Sequence, residues 1–123
     1  MVSESAVLRE CIANLAARGV FCVRVNSGAA QGRGERRYVR YYEARWADAA
    51  GRMSGPIHAG HPDLLLVIMG RAVYVEIKRP VGGRLSHAQR EWLDAARRAG
   101  ALGVVATSWA ELEACLRAEG LMS

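Results

Sequence analysis

The chain predicts a mixed α/β fold, a central mixed β-sheet of about five strands flanked by helices in the order α-β-β-β-β-α-β-α. Three observations predict it. Segments opening at Ser86 and Ser108 place apolar residues at helical spacing behind a serine cap. Two adjacent apolar runs, 63–69 and 72–78, flank Gly70-Arg71 and read as a β-hairpin. The helix after Ser86 separates that hairpin from a further apolar run, 102–107, and so supplies a crossover connection. At 123 residues, 51% hydrophobic and 24% charged, the chain has the size of one domain spanning 1–123.

Taken in order, the first helix runs from Glu4 to Arg18, where Val7, Leu8, Cys11, Ile12 and Leu15 form an apolar stripe between Ser3 as N-cap and Gly19 as stop. Val20 to Val25 is rich in β-branched and aromatic residues and predicts a strand leaving into a turn at Asn26-Ser27-Gly28. Glycines 28, 32 and 34 make a loop, and Arg37 to Glu43 predicts a second strand. From Arg45 to His61 there are three glycines, one proline and no periodicity, which predicts a long irregular connection. The Asp63–Met69 and Ala72–Lys78 hairpin is expected at the centre of the sheet. Ser86 with Gln89 forms a capping box, and Trp92, Leu93 and Ala96 supply the buried face of that helix up to Gly100. After the strand Leu102–Thr107, Ser108 with Glu111 repeats the capping box, and Leu112, Cys115 and Leu116 pack before Gly120.

Composition narrows the function classes. The longest apolar stretch, Leu64 to Met69, has strand length, far short of the roughly 18 residues of a membrane span. Residues 1–6 carry Glu4 and lack the basic-then-apolar build of a secretory signal, so a cytoplasmic location is expected, in a bacterial or virus-infected bacterial cell. Cys11, Cys22 and Cys115 are odd in number and far apart, which excludes a disulfide framework and a zinc-finger spacing and leaves small buried hydrophobes. A formal net charge of +5 permits a polyanionic partner. Sixteen of the 17 basic residues are arginine, in an Arg- and Ala-rich chain of GC-rich character, and the single lysine is Lys78.

That lysine belongs to a constellation. A turn at 70 and 71 sets Asp63 opposite Lys78, at the end of the hairpin away from the turn. Glu76 and Lys78 share a strand face, while Ile77 points to the other and leaves its carbonyl at the same end. Two carboxylates and a main-chain oxygen make a hard, oxygen-rich site suited to Mg²⁺ or Mn²⁺. An adjacent ammonium can orient an attacking water or stabilise charge building on a phosphate. The same three residues could also form an ordinary charged ladder on an exposed strand.

The surrounding residues resemble a family. Gly60-His61-Pro62-Asp63, then Glu76-Ile77-Lys78, then Leu85-Ser86-His87-Ala88-Gln89 with Trp92, and Gly103-Val104-Val105 before Ser108, are similar to the VRR-NUC nuclease domain. This is a branch of the PD-(D/E)xK superfamily that includes Holliday-junction resolvases and restriction enzymes. Glu4, Gly19 and Arg24-Val25-Asn26-Ser27-Gly28 resemble its opening helix and R-x-N-S-G turn, so the likeness spans nearly the whole chain, in its stand-alone viral or bacterial form. The resemblance implies a restriction-endonuclease-like core. It further implies Asp63 and Glu76 as metal ligands with the Ile77 carbonyl, Lys78 as catalytic lysine, Gln89 near the active site, and Glu4 joining the metal shell directly or through water. Gln89 also closes a capping box, and Glu4 also suits the first turn of a helix on electrostatic grounds.

The expected activity is Mg²⁺- or Mn²⁺-dependent hydrolysis of DNA phosphodiesters in branched, Holliday-junction-like substrates by a homodimer, with flap, fork or duplex cleavage and a non-catalytic DNA-binding module as alternatives. Residues 24–45 carry a local excess of four positive charges with Tyr38, Tyr41 and Tyr42 interleaved. Arg24, Asn26, Ser27, Arg37 and Arg40 there, with Arg79 and Arg84 beside the triad, are the expected DNA contacts. The arginine-rich strand could equally be a solvated surface of a GC-biased chain. His58 and His61 precede Asp63 and are left outside the metal site, since lone loop histidines rarely ligate.

Overall fold

A computed structural model of the chain describes residues 2–25, 45–47, 50–51, 53–56 and 60–123. Its elements are α1 (Glu4–Ala17), β1 (Phe21–Arg24), β2 (Arg45–Ala47), β3 (Met53–Pro56), β4 (Leu64–Ile68), β5 (Arg71–Ile77), α2 (His87–Arg98), β6 (Leu102–Ala106) and α3 (Trp109–Ala118). The expected turn at 26–28 and the expected strand 37–43 lie outside the described residues. The main sheet has the order β1-β4-β5-β6. Its first two pairings are antiparallel and the β5–β6 pairing is parallel, with α2 as the crossover. The hairpin is central, as its apolar density requires.

Four described strands form this sheet rather than about five. The stretch expected to be irregular contains β2 and β3, paired antiparallel as a separate ribbon with a register shift between Arg45 and Ala47. Such short strands, with Gly55 and Pro56 in one of them, show no two-residue alternation, so the pattern could not reveal them.

Strands and helices distribute over two faces. Leu64, Leu66, Ile68, Val73, Val75, Ile77, Val104 and Ala106 point to one side and pack against Val7, Cys11 and Leu15 of α1 and Trp109, Leu112 and Leu116 of α3. Helix α2 lies on the other side: Trp92 meets Tyr74, and Leu93 and Arg97 approach Gly103, the register partner of Tyr74. Toward β1 this second face is open among the described residues, with Phe21, Val23 and Val67 exposed.

Local chemistry sets the boundaries. Ser3 accepts the Ala6 N–H at the start of α1, and Gly19 ends it with φ +70°. Ser86 and Gln89 close the capping box of α2 in both directions. At α3, Ser108 accepts from Glu111 N, but the Glu111 carboxylate takes the Thr107 N–H and hydroxyl in place of the cap residue's own N–H. Cys11 is buried, Cys22 half-buried and Cys115 exposed. The α3 stripe is therefore Leu112 and Leu116, with Cys115 turned outward. Trp109 is buried, covered by the Arg18 guanidinium 4.9 Å from its ring centroid.

The hairpin turn is Met69-Gly70, one residue earlier than expected, with φ of +52° and +79°. Two successive positive φ values are the signature of a type I′ turn, whose twist matches the flanking strands. The register is accordingly Leu64↔Val75, which carries Asp63 opposite Glu76 rather than Lys78. Side chains alternate with a period of two, so a two-residue displacement leaves all three on the same face.

Candidate active site

The site lies at the end of β4 and β5 away from the turn, on the face that carries α2. Backbone pairing holds it there: Val25 N donates to Asp63 O at 2.9 Å and Lys78 N to Ala106 O at 3.0 Å, so β1 and β5 each continue one residue past their last regular position to brace it. The Asp63 carboxylate turns across the hairpin and accepts the Ile77 N–H through Oδ2 at 2.8 Å. Asp63 thereby takes up a backbone donor at the frayed end of the ladder, and its orientation is fixed.

Glu76 is 3% exposed and is the one buried charged residue among those described. A buried carboxylate is costly unless it is paired or neutralised. Its Oε2 faces Lys78 Nζ at 3.5 Å and accepts the Gln89 Nε2 amide at 3.0 Å. Its Oε1 is buried and has no hydrogen-bond partner among the described residues. Burial, and next the Asp63 charge, push its pKa up to about 8 against the pull of Lys78. Asp63 is raised as well, chiefly by burial, with the Ile77 N–H opposing. The metal-free pair thus retains a proton where two free carboxylates would have none.

Two facing carboxylates, one with an orphaned buried oxygen, fit a hard divalent cation, which would replace the retained proton and satisfy Oε1. Asp63 and Glu76 would hold it, with the Ile77 carbonyl at the same strand end. Glu4, which the resemblance implies could join directly or through water, acts on the pair at a distance in the metal-free chain. Its charge reaches both carboxylates and raises them, yet no cluster of three or more His, Cys, Asp or Glu side chains among the described residues is arranged around one ion. Glu4 is exposed in the first turn of α1, where the side chain extends into solvent.

Gln89 makes two contacts at once: Oε1 accepts the Ser86 N–H at 2.8 Å, closing the capping box, while Nε2 donates to Glu76 at 3.0 Å. Arg24 is exposed at the end of β1, where its register with core-facing Leu64 puts it on the α1/α3 face rather than the face of the site, and Arg84 is exposed in the loop after Lys78. Arg79 donates Nε to Val81 O at 2.9 Å, folding its guanidinium over Gly82. Asn26, Ser27, Arg37 and Arg40 lie outside the described residues, as does His58. His61 is buried, contacts Pro62 O through Nδ1 at 2.7 Å and packs on Trp92 and Tyr74, a structural placement.

Two glycines, which carry no reactive side chain, support the site through the backbone. A Cβ on Gly83 would lie 2.8 Å from Arg79 O and 3.0 Å from Lys78 Cβ, so this loop closes on the lysine only with glycine there. A Cβ on Gly60 would lie 2.4 Å from Ala88 O. The glycine pair directly after Lys78-Arg79-Pro80-Val81 was the available signal for such close approach.

The VRR-NUC domain family matches residues 2–110. The chain belongs to that family. The match takes in every element from α1 through β6. A solved VRR_NUC domain protein is similar to it at 24% identity and a TM-score of 0.44, over 53% of this chain and 57% of that one. The chain thus spans somewhat more than half the length of that protein. No curated protein matches it.

Proposed function

We propose that this VRR-NUC protein is a Mg²⁺- or Mn²⁺-dependent structure-specific DNA endonuclease that hydrolyses phosphodiesters in branched, Holliday-junction-like DNA. The observation that carries the reading is the buried Glu76 carboxylate facing Asp63 with one oxygen lacking a partner among the described residues. A carboxylate pair alone costs stability, and a cation is the simplest group that reverses that cost.

When bound, the metal supplies positive charge at the scissile phosphate and acidifies an attacking water. Asp63, fixed by the Ile77 N–H, and Glu76 set where that charge sits. Lys78, anchored through its backbone to Ala106 and through Nζ to Glu76, presents an ammonium at the same place to hold the water and stabilise charge building on the phosphate. Water adds to phosphorus as the bond to the 3′-oxygen breaks, giving 5′-phosphate and 3′-hydroxyl ends. Arg84 suits a flanking phosphate by position, and Arg24 a phosphate reached around the strand end from the other face of the sheet. A body of 123 residues grips a branched duplex poorly alone, and a two-fold homodimer would present two sites to a junction. Three free cysteines suit a reducing cytoplasm.

The test is cleavage of labelled four-way junction, flap, fork and duplex by the wild type and Asp63→Ala, with EDTA, Mg²⁺ or Mn²⁺. Symmetric junction nicks that require metal and Asp63 are expected. Preference for flaps or forks would replace the substrate and keep the site, and metal-independent binding without cutting would overturn the enzyme.

A further inference from the structure

We propose that the capping box of α2 is also a positioning device for the cation site. The Ser86 backbone N–H fixes the Gln89 side-chain amide so that it donates to Glu76 Oε2, which leaves Oε1 as the single ligating oxygen. This rests on the metal-dependent reading above. A glutamine amide has an accepting end and a donating end, and a half-turn about its last bond exchanges them. Ser86 N can only donate, and it sits 2.8 Å from Gln89 Oε1, so Nε2 is the end turned to Glu76 at 3.0 Å. Lys78 Nζ approaches the same Oε2 at 3.5 Å. With two donors on one oxygen, the carboxylate is held against rotation and offers the other, Oε1, which is buried without a partner among the described residues.

The start of α3 shows that a serine-capped helix alone does not require glutamine. Three residues after Ser108 stands Glu111, whose carboxylate takes backbone and hydroxyl donors of Thr107 and faces no other acid in those contacts. Glutamate and glutamine serve a capping box alike. Only glutamine, however, can accept from Ser86 and donate to Glu76 at once, so its presence at position 89 answers to the site. Ser86 and Gln89 thus act through Glu76, as outer partners that orient a ligand.

Mn²⁺ binding by titration calorimetry, with thermal unfolding alongside, tests this in the wild type, Asp63→Ala, Ser108→Ala and Gln89→Met, at a temperature well below every unfolding midpoint. Ser108→Ala loses the hydroxyl cap of α3 and touches nothing in the site, so it is expected to melt lower and to bind Mn²⁺ as the wild type does. Gln89→Met keeps side-chain length and loses the donor, and is expected to weaken binding by about 10-fold or more. Wild-type affinity in Gln89→Met, or an equal loss in Ser108→Ala, would overturn the positioning role. Absence of Asp63-dependent Mn²⁺ binding in the wild type would instead overturn the metal reading and this inference with it.

Discussion

The two faces of the sheet obey opposite rules. Beneath α1 and α3, every strand residue that points inward is apolar, and each buried Leu or Val contributes about 1.5–3 kcal/mol. Across the same strands, one residue out of phase, stand Asp63, Glu76 and Lys78, with Glu76 as buried as the core beside it. Burial on the first face stabilises the fold; on the second it raises two carboxylates and leaves Oε1 without a partner among the described residues. The shared strands teach where the stability comes from: the apolar face holds the hairpin rigid enough that its other face can carry groups which, alone, disfavour folding.

Substitution at each face should therefore separate activity from stability. Asp63→Ala is expected to lower metal-dependent cleavage by at least on the order of 10³-fold while leaving the thermal midpoint equal or higher, read by junction nicking and calorimetry. Leu66→Ala, its opposite on the neighbouring strand positions, should cost about 2–5 kcal/mol in denaturant unfolding, with the site chemistry of the folded fraction unchanged. If Asp63→Ala unfolds the protein, the two faces are not separable in this way. Lys78→Ala comes next, with a loss of roughly 10²-fold in cleavage and DNA binding largely kept, since the ammonium acts where charge develops.

The two faces also differed in how far they could be read from the chain. Helical stripes such as Val7, Cys11 and Leu15, and the caps Ser3, Ser86 and Ser108, were legible because period and capping are local properties. The site was legible as to its residues, since Asp63, Glu76 and Lys78 share a face under any even displacement of register. Its geometry was not. Met69 in the left-handed region, unusual for a side chain with a Cβ, moved the turn by one residue and the pairing by two. The β2–β3 ribbon escaped because its pairing is carried by backbone, and Cys115 turned outward because two leucines suffice for the buried stripe of α3. The burial of Glu76 and its lone oxygen are tertiary facts that no spacing encodes.

Acidity offers a subtler probe of the charged face. Glu76 is pushed up to about 8 in the folded chain from an ordinary 4.5, and Asp63 is raised too. Between those limits the folded state holds a proton that the unfolded state has lost. The resulting stabilisation is fully present below the unfolded pKa and is lost as pH rises through the folded one. The metal-free protein should therefore melt progressively lower from pH ~5 to pH ~8, and Glu76→Gln, which cannot lose that proton, should flatten the curve. A profile as steep in Glu76→Gln as in the wild type would show that the pair does not dominate the charged face.

The smallest effect is expected at the turn that joins both faces. Met69 adopts φ +52° with its side chain 81% exposed, so it contributes little burial and bears the left-handed penalty in full. Asparagine tolerates that conformation, and Asn-Gly is the favoured pair for a type I′ turn. Met69→Asn should raise stability by about 0.5–1 kcal/mol in denaturant titration and leave cleavage unchanged. The turn lies at the opposite end of β4 and β5 from Asp63, and the register it sets is already the one the site uses. Stabilisation with altered cleavage would mean that the turn, as well as the ladder, tunes how Asp63 meets Glu76.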